Sequence, residues 1–152
     1  EFEKIQEQFG IHLDRDILDI SYRHLWDDWG LRSHTAELRY HWRFREGRAL
    51  VPHLRWYRQS AADTYRHSLV EGELLPAHAS ADPRLAAFDA WTLGLKYRHR
   101  LPHDQEISFR AEYYRHRGED HPDDAVGQLR NQDLFPDLDA VIVQIGYRLD
   151  IF

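Results

Sequence analysis

The 152-residue sequence contains no cysteine and no methionine. The absence of cysteine excludes a disulfide framework, a catalytic thiol and a metal site with cysteine ligands. No run of about 18 or more apolar residues occurs, which excludes a transmembrane helix. Because the sequence starts with neither methionine nor a signal peptide, we expect a processed or partial chain of an exported protein.

The charge of the chain is also informative by what it lacks. The formal net charge is −6, and basic and acidic residues alternate without a basic cluster, so we do not expect nucleic acid as a partner. Charged residues make up 30% and the mean hydropathy is −0.72, as in a water-soluble domain. A membrane β-barrel is nevertheless compatible with these values, because each strand presents only every second residue to lipid.

The last twelve residues, 141–152, show the period of two that is typical of a β-strand with one apolar face. The apolar or aromatic positions are Val141, Val143, Ile145, Tyr147, Leu149 and Ile151. The same alternation predicts five earlier strands, at 16–26, 35–44, 50–59, 88–99 and 106–114. Residues 1–14 are predicted either as a seventh strand or as a short helix or loop.

The polar face of these strands carries many charges. Its main members are Glu37, Arg39, His41, Arg43, Arg55, Arg98, Arg110 and Glu112. Burying so many charges in the core of a small soluble protein would be very costly, whereas a wet or ion-paired lumen tolerates them. We therefore interpret them as lumen-lining residues, which form either an anion path or an ion-pair ladder that rigidifies the wall.

The end of the chain resembles the assembly signal of bacterial outer-membrane barrels, in which the last strand ends on an aromatic residue. The matching residues are Gln144, Gly146, Leu149, Ile151 and Phe152. This resemblance implies a location in the bacterial outer membrane, contact with its lipid and recognition by the barrel assembly machinery. If the terminal strand ends in the periplasm, the long loops at 60–83 and 117–138 face the outside of the cell and the short turns face the periplasm.

The predicted fold is therefore all-β, an antiparallel transmembrane β-barrel of outer-membrane type. Bacterial barrels use about eight or more strands in even number, so six cannot close one. The whole chain, 1–152, is then the C-terminal part of one larger barrel domain. We expect the additional strands to come from an N-terminal portion of the same protein rather than from other copies.

Two groups of residues are alternative candidates for a site. Asp27, Asp28, Trp29 and Gly30 lie in a predicted turn, where the two acids act either as turn formers or as a carboxylate pair that binds a cation. The eleven histidines raise the question of a metal site. A Tyr-Arg-His unit occurs four times, but the units do not share one strand face, so no metal is expected.

Four motifs together resemble an uncharacterised Gram-negative outer-membrane family, classified as a domain of unknown function. They are WDDWGLRSHT at 26–35, RWYRQSAADTY at 55–65, SADPRL at 80–85 and TLGLK at 92–96. Their order and spacing match the C-terminal half of the family's barrel. Family members are often encoded beside a small lipoprotein that carries covalent flavin. The family has no established catalytic residues, so none is assigned.

The resemblance implies a scaffold or conduit for a redox partner that carries flavin or haem, with no cofactor bound to this chain directly. We do not expect an enzyme. Three alternatives stay open: a solute channel similar to a porin, an outer-membrane enzyme with its site between the two long loops, and a soluble antiparallel protein.

Overall fold

The computed structural model describes residues 2–13, 15–72, 74, 76–103, 105–123 and 125–149. Seven antiparallel strands form one sheet, in which every strand pairs with its neighbours in sequence. The strands are β1 (Phe2–Leu13), β2 (Asp16–Asp27), β3 (Arg32–Arg45), β4 (Arg48–Gln59), β5 (Phe88–Arg100), β6 (Glu106–Gly118) and β7 (Leu138–Arg148). Two short 3-10 helices, Pro83–Leu85 and Gly127–Asn131, lie in the loops. Within the described ranges, no pairing joins β1 to β7.

The predicted all-β antiparallel class is confirmed, and the possible seventh strand is present in addition to the six predicted ones. The first segment is a full strand, β1, which pairs with β2 along its whole length from Phe2–Asp27 to Leu13–Asp16. The spacing of Ile5 and Phe9 suits a helix as well as a strand, and the pairing with β2 decides between them.

Several predicted strand boundaries are also wrong; β3, for example, begins at Arg32 rather than at 35. Strand β6 continues to Gly118, because residues 115–118 pair with β5. Strand β7 begins at Leu138 and ends at Arg148, so Leu149 lies beyond it. Ile151 and Phe152, which were assigned to the assembly signal, lie outside the described residues.

The register aligns side chains of one kind across the strands. Leu54 pairs with Leu38 on one side and with Leu93 on the other, and Leu93 pairs with Tyr113. Since alternate residues of a strand point to opposite faces, these pairs define one apolar face of the sheet. The opposite face, which we call the polar face, carries the charged residues.

The sheet has almost no filled core. The buried apolar side chains of the described residues are mostly alanines, and none of the larger side chains is completely buried. The large apolar residues lie instead on the exposed surface: Leu93 is 64% exposed and Ile145 is 77% exposed. The apolar face therefore has no partner within the described part of the chain.

The strands are connected by short turns at one end of the sheet and by long loops at the other, apart from the β2–β3 turn. We call these the short-turn end and the loop end. At the loop end, Gln59 donates from Nε2 to the carbonyl oxygens of Arg84 and Ala86, at 2.8 and 2.7 Å. Phe135 from the second loop packs against Phe88, with ring centroids 5.9 Å apart. Both long loops thus fold over the polar face at the loop end.

None of the helices in the described ranges is long and apolar enough to cross a membrane.

Candidate functional site

The centre of the polar face is a histidine held between two carboxylates. His53 of β4 has Nδ1 at 3.1 Å from Glu112 Oε1 and Nε2 at 3.2 Å from Glu37 Oε1. The three side chains are largely covered, with exposures of 14%, 13% and 19%. The contact with Glu112 is a hydrogen bond, whereas His53 Nε2 and Glu37 Oε1 lie close together but are buried without a hydrogen-bond partner. We call these three residues the His53 triad.

A glycine allows Glu112 to reach His53 across an intervening strand. In the register, His53 of β4 pairs with Gly94 of β5, and Gly94 pairs with Glu112 of β6. A Cβ atom at position 94 would lie 2.9 Å from Glu112 Cγ, which is closer than real Cβ atoms approach. The missing side chain at Gly94 thus creates the path that the carboxylate follows.

Arginines flank the triad on both sides. Arg39 forms an ion pair with Glu37, and Arg110 Nε lies 3.8 Å from Glu112 Oε1. On the neighbouring strands, His41 Nε2 lies 3.0 Å from Asp19 Oδ2. Charges of both signs therefore alternate across the middle of the polar face, as in an ion-pair ladder.

Seven of the eight residues predicted to line a lumen lie on the polar face by the strand register, and the eighth, Arg43, lies between Trp42 and Arg45, where the register of β3 and β4 shifts. The structure brings Glu37, Arg39, Arg110 and Glu112 together around His53. Arg55 pairs with Glu37 in the register, and its Nε atom is buried without a hydrogen-bond partner. Arg43 and Arg98 lie further along, near the short-turn end. Their lining of a lumen stays a prediction.

The turn at the end of β2 is built by backbone hydrogen bonds. Asp27 Oδ1 accepts from the backbone N–H groups of Trp29 and Leu31, at 3.0 and 3.1 Å. Gly30 has a φ of +75°, and a Cβ atom there would collide with the Asp63 side chain. These contacts account for Asp27 and Gly30 as turn formers. Trp29 is 59% exposed, and its carbonyl oxygen accepts from Asp63 N–H. For Asp28, a role in cation binding stays a prediction.

Asp82 caps a short helix within the first long loop. Its carboxylate caps the 3-10 helix Pro83–Leu85 by accepting from Arg84 N–H at 2.9 Å, and it pairs with the Arg84 guanidinium. These hydrogen bonds lower the pKa of Asp82 from 3.8 to about 2. Nearby, burial raises the pKa of the Tyr65 hydroxyl above its ordinary value.

In the terminal strand, Gln144 pairs with Arg110 and Gly146 with Ser108. A Cβ atom at Gly146 would lie 2.7 Å from Ser108 Oγ, so this position favours glycine for close packing.

Among the residues that the structure describes, no group of three or more histidine and acidic side chains could hold a metal ion.

The comparison with known families gives one match, which covers residues 4–149. The matching family is described as "Protein of unknown function (DUF3570)". The chain belongs to this family. The match includes all of the polar-face residues described above, so the His53 triad lies within the family domain. No curated protein and no solved structure matches the chain.

The sequence prediction missed His53 and Gly94 as members of the site. The alternation places His53 on the polar face, but its bond to Glu112 depends on the register of three strands. The signal that could have revealed it is the glycine in the middle of β5, since such a glycine often marks a close approach of a neighbouring group.

Proposed function

We propose that this chain forms part of the wall of an outer-membrane β-barrel. The observation that carries the proposal is the exposed apolar face, which extends over all seven strands opposite a charged face. An exposed apolar surface of this extent marks contact with lipid or with another protein. Since seven is an odd number, we propose that further strands pair with the free edges of β1 and β7.

Aromatic residues on the apolar face support the membrane setting. Trp56 and Trp91 form one level, with ring centroids 6.4 Å apart. Trp42, Tyr97 and Phe109 belong to a second level, which the register places six residues away along β4 and β5. Six residues of strand span about 20 Å, and outer-membrane barrels carry two aromatic girdles around an apolar band.

The polar face then lines the interior of the proposed barrel. The His53 triad and its arginines form a network that would be costly in an apolar core but is well suited to an enclosed, partly hydrated space. The two long loops cover this face at the loop end. A covered interior favours a sheath or scaffold over a wide, open solute channel.

The proposed role is to scaffold a redox partner that carries flavin or haem. The support for this partner is the family resemblance stated above, and the covered polar face is compatible with it. The chain itself binds no cofactor in this proposal. The partner is expected to occupy the interior or to dock at one end of the barrel.

The membrane setting is tested with single thiols, because the sequence contains no cysteine. Val143 and Gln144 are adjacent in β7 and belong to opposite faces. In the full-length protein, an environment-sensitive fluorophore on Val143→Cys should be quenched by brominated lipid. The same fluorophore on Gln144→Cys should not be quenched. Equal behaviour of the two, or recovery of the protein in the soluble fraction, would contradict the proposal.

The scaffold role needs a separate experiment. The protein is purified from native outer membranes in mild detergent, and bound flavin and haem are measured by absorbance and mass spectrometry. We expect a flavin-bearing or haem-bearing lipoprotein to co-purify. A barrel that is isolated alone and gives large single-channel conductance in planar bilayers would instead identify a solute channel.

A further inference from the structure

A second concentration of charge lies at the short-turn end of the sheet, away from the His53 triad. A recess of about 510 Å³ is surrounded there by the turn between β3 and β4 and by the ends of the neighbouring strands. Six arginines line it: Arg15, Arg43, Arg45, Arg48, Arg98 and Arg100. Of the described residues, two acidic ones, Glu46 and Glu106, line the same recess.

The fold creates this concentration from arginines of separate segments. Arg45 pairs with Arg48 across the turn, and Arg48 pairs with His99 of β5. Arg100 donates from its backbone N–H to the carbonyl oxygen of Gly47 at 2.7 Å, which fixes the turn against β5. The lining also includes Ala49, whose side chain is small and buried.

Acidic partners for these guanidinium groups are few among the residues that the structure describes. Over the described residues, none of the six arginines forms an ion pair with a carboxylate. Asp16 lies nearby, but its carboxylate accepts from the Tyr40 hydroxyl at 2.6 Å and from Arg43 N–H at 2.8 Å. The Nε atom of Arg98 is buried without a hydrogen-bond partner. In a chain of net charge −6, a recess lined by six arginines that form no ion pair with a described carboxylate indicates a site for an anion.

We propose that the recess binds an oxyanion of the phosphate class. The guanidinium group presents several N–H donors in a planar fork, which matches the oxygens of a phosphate better than it matches a spherical halide. Convergence of several forks on one recess favours a multivalent group such as a diphosphate or a lipid phosphate. This inference does not rest on the proposed role with a redox partner.

Binding is tested with inorganic pyrophosphate and the full-length protein in neutral detergent, by calorimetry at low ionic strength. We expect saturable binding that weakens as salt is added. Removing the guanidinium of Arg45 or Arg100, as Arg45→Gln or Arg100→Gln, should weaken binding by about tenfold each, since each loses charge-assisted hydrogen bonds. The matched control is Arg58→Gln, because Arg58 lies at the loop end and is paired with Asp89.

A second measurement needs no variant and so does not depend on variant folding. Arginines of the wild-type protein are modified with phenylglyoxal and counted by mass spectrometry. Pyrophosphate should protect Arg45 and Arg100 and leave Arg58 unprotected. Protection by phosphatidylglycerol in a phosphatidylcholine bilayer, without pyrophosphate, would identify a lipid headgroup as the source of the phosphate. Protection by pyrophosphate alone would identify a soluble phosphate.

The proposal is wrong if neither pyrophosphate nor phosphatidylglycerol protects Arg45 and Arg100. It is also wrong if Arg58→Gln weakens binding as much as Arg100→Gln does, because binding would then follow net charge rather than the recess. These outcomes concern only the short-turn end and can occur whether or not the thiol experiment supports a membrane location.

Discussion

The two faces of this sheet share one backbone hydrogen-bond ladder, but their side chains have opposite surroundings. On one face, leucines, valines and aromatic residues stand exposed without a partner. On the other, partly covered carboxylates, histidines and arginines lie close together, and loops fold over them at the loop end. The difference teaches that the polar face is stabilised by contacts within the chain, whereas the apolar face must be stabilised from outside. The stability of the polar face should therefore depend on its side-chain partners, and that of the apolar face on the surrounding medium.

The largest effect should come from placing a charge on the apolar face. Leu93→Arg should destabilise the protein in lipid by about 2–4 kcal/mol, the range for arginine near the midplane of a membrane barrel. Thr92→Arg puts the same side chain on the polar face one residue away and should cost less than about 1 kcal/mol. Urea unfolding in lipid vesicles measures both. Equal costs would mean that the faces do not differ in their surroundings.

A smaller effect is expected from breaking the polar face at its centre. His53→Ala leaves Glu37 and Glu112 without the ring that lies between them, so the covered Glu112 loses its hydrogen-bond partner and Glu37 loses a close neighbour. We expect a loss of about 1–3 kcal/mol in the free energy of unfolding. His121→Ala serves as control, because His121 is 54% exposed in a loop and lies 3.6 Å from Asp133. If both variants unfold alike, the triad contributes no more than a surface contact.

A smaller change fills the space above Gly94 that the Glu112 side chain occupies, and leaves His53 in place. Gly94→Ala places a methyl group in the way of the Glu112 side chain and should push its carboxylate away from His53. The expected cost is about 1 kcal/mol, the low end for overpacking, because Glu112 is flexible. Gly10→Ala is the matched variant, since its added Cβ would lie 3.6 Å from Asp19, an ordinary contact. A neutral Gly94→Ala would show that the triad does not need this path.

The smallest effect concerns the loop that covers the polar face. The pKa of Asp82 is lowered from 3.8 to about 2, so its contribution to loop order is fully present above pH 3.8. That contribution is lost as the pH falls through about 2. Hydrogen exchange of residues 80–86 should therefore be steady between pH 7 and pH 4, after correction for intrinsic rates, and Asp82→Asn should loosen the loop at pH 7. The sheet itself should be unaffected by Asp82→Asn.

The sequence predicts the faces better than it predicts the contacts on them. Alternation is a local property, so it locates six strands and assigns Glu37 and Glu112 to one face. The sequence left residues 1–14 open between a strand and a helix or loop, because the four-residue spacing of Ile5 and Phe9 fits both the helical and the strand period. The bond between His53 and Glu112 depends on the alignment of β4, β5 and β6, which no single segment encodes. For the same reason, Gln59 gave no sign that it would hold a loop that returns 25 residues later.

The strand order of the sheet has a consequence for how the chain folds. Because each strand pairs only with the strands before and after it, contacts between the described strands join only strands that follow one another in the sequence. Such a topology has a low contact order for an all-β protein, and low contact order is associated with rapid folding. Strand hairpins can therefore form one after another, and the two long loops are the only wide gaps to close. Insertions into these loops should delay the joining of two hairpins without altering the register inside either one.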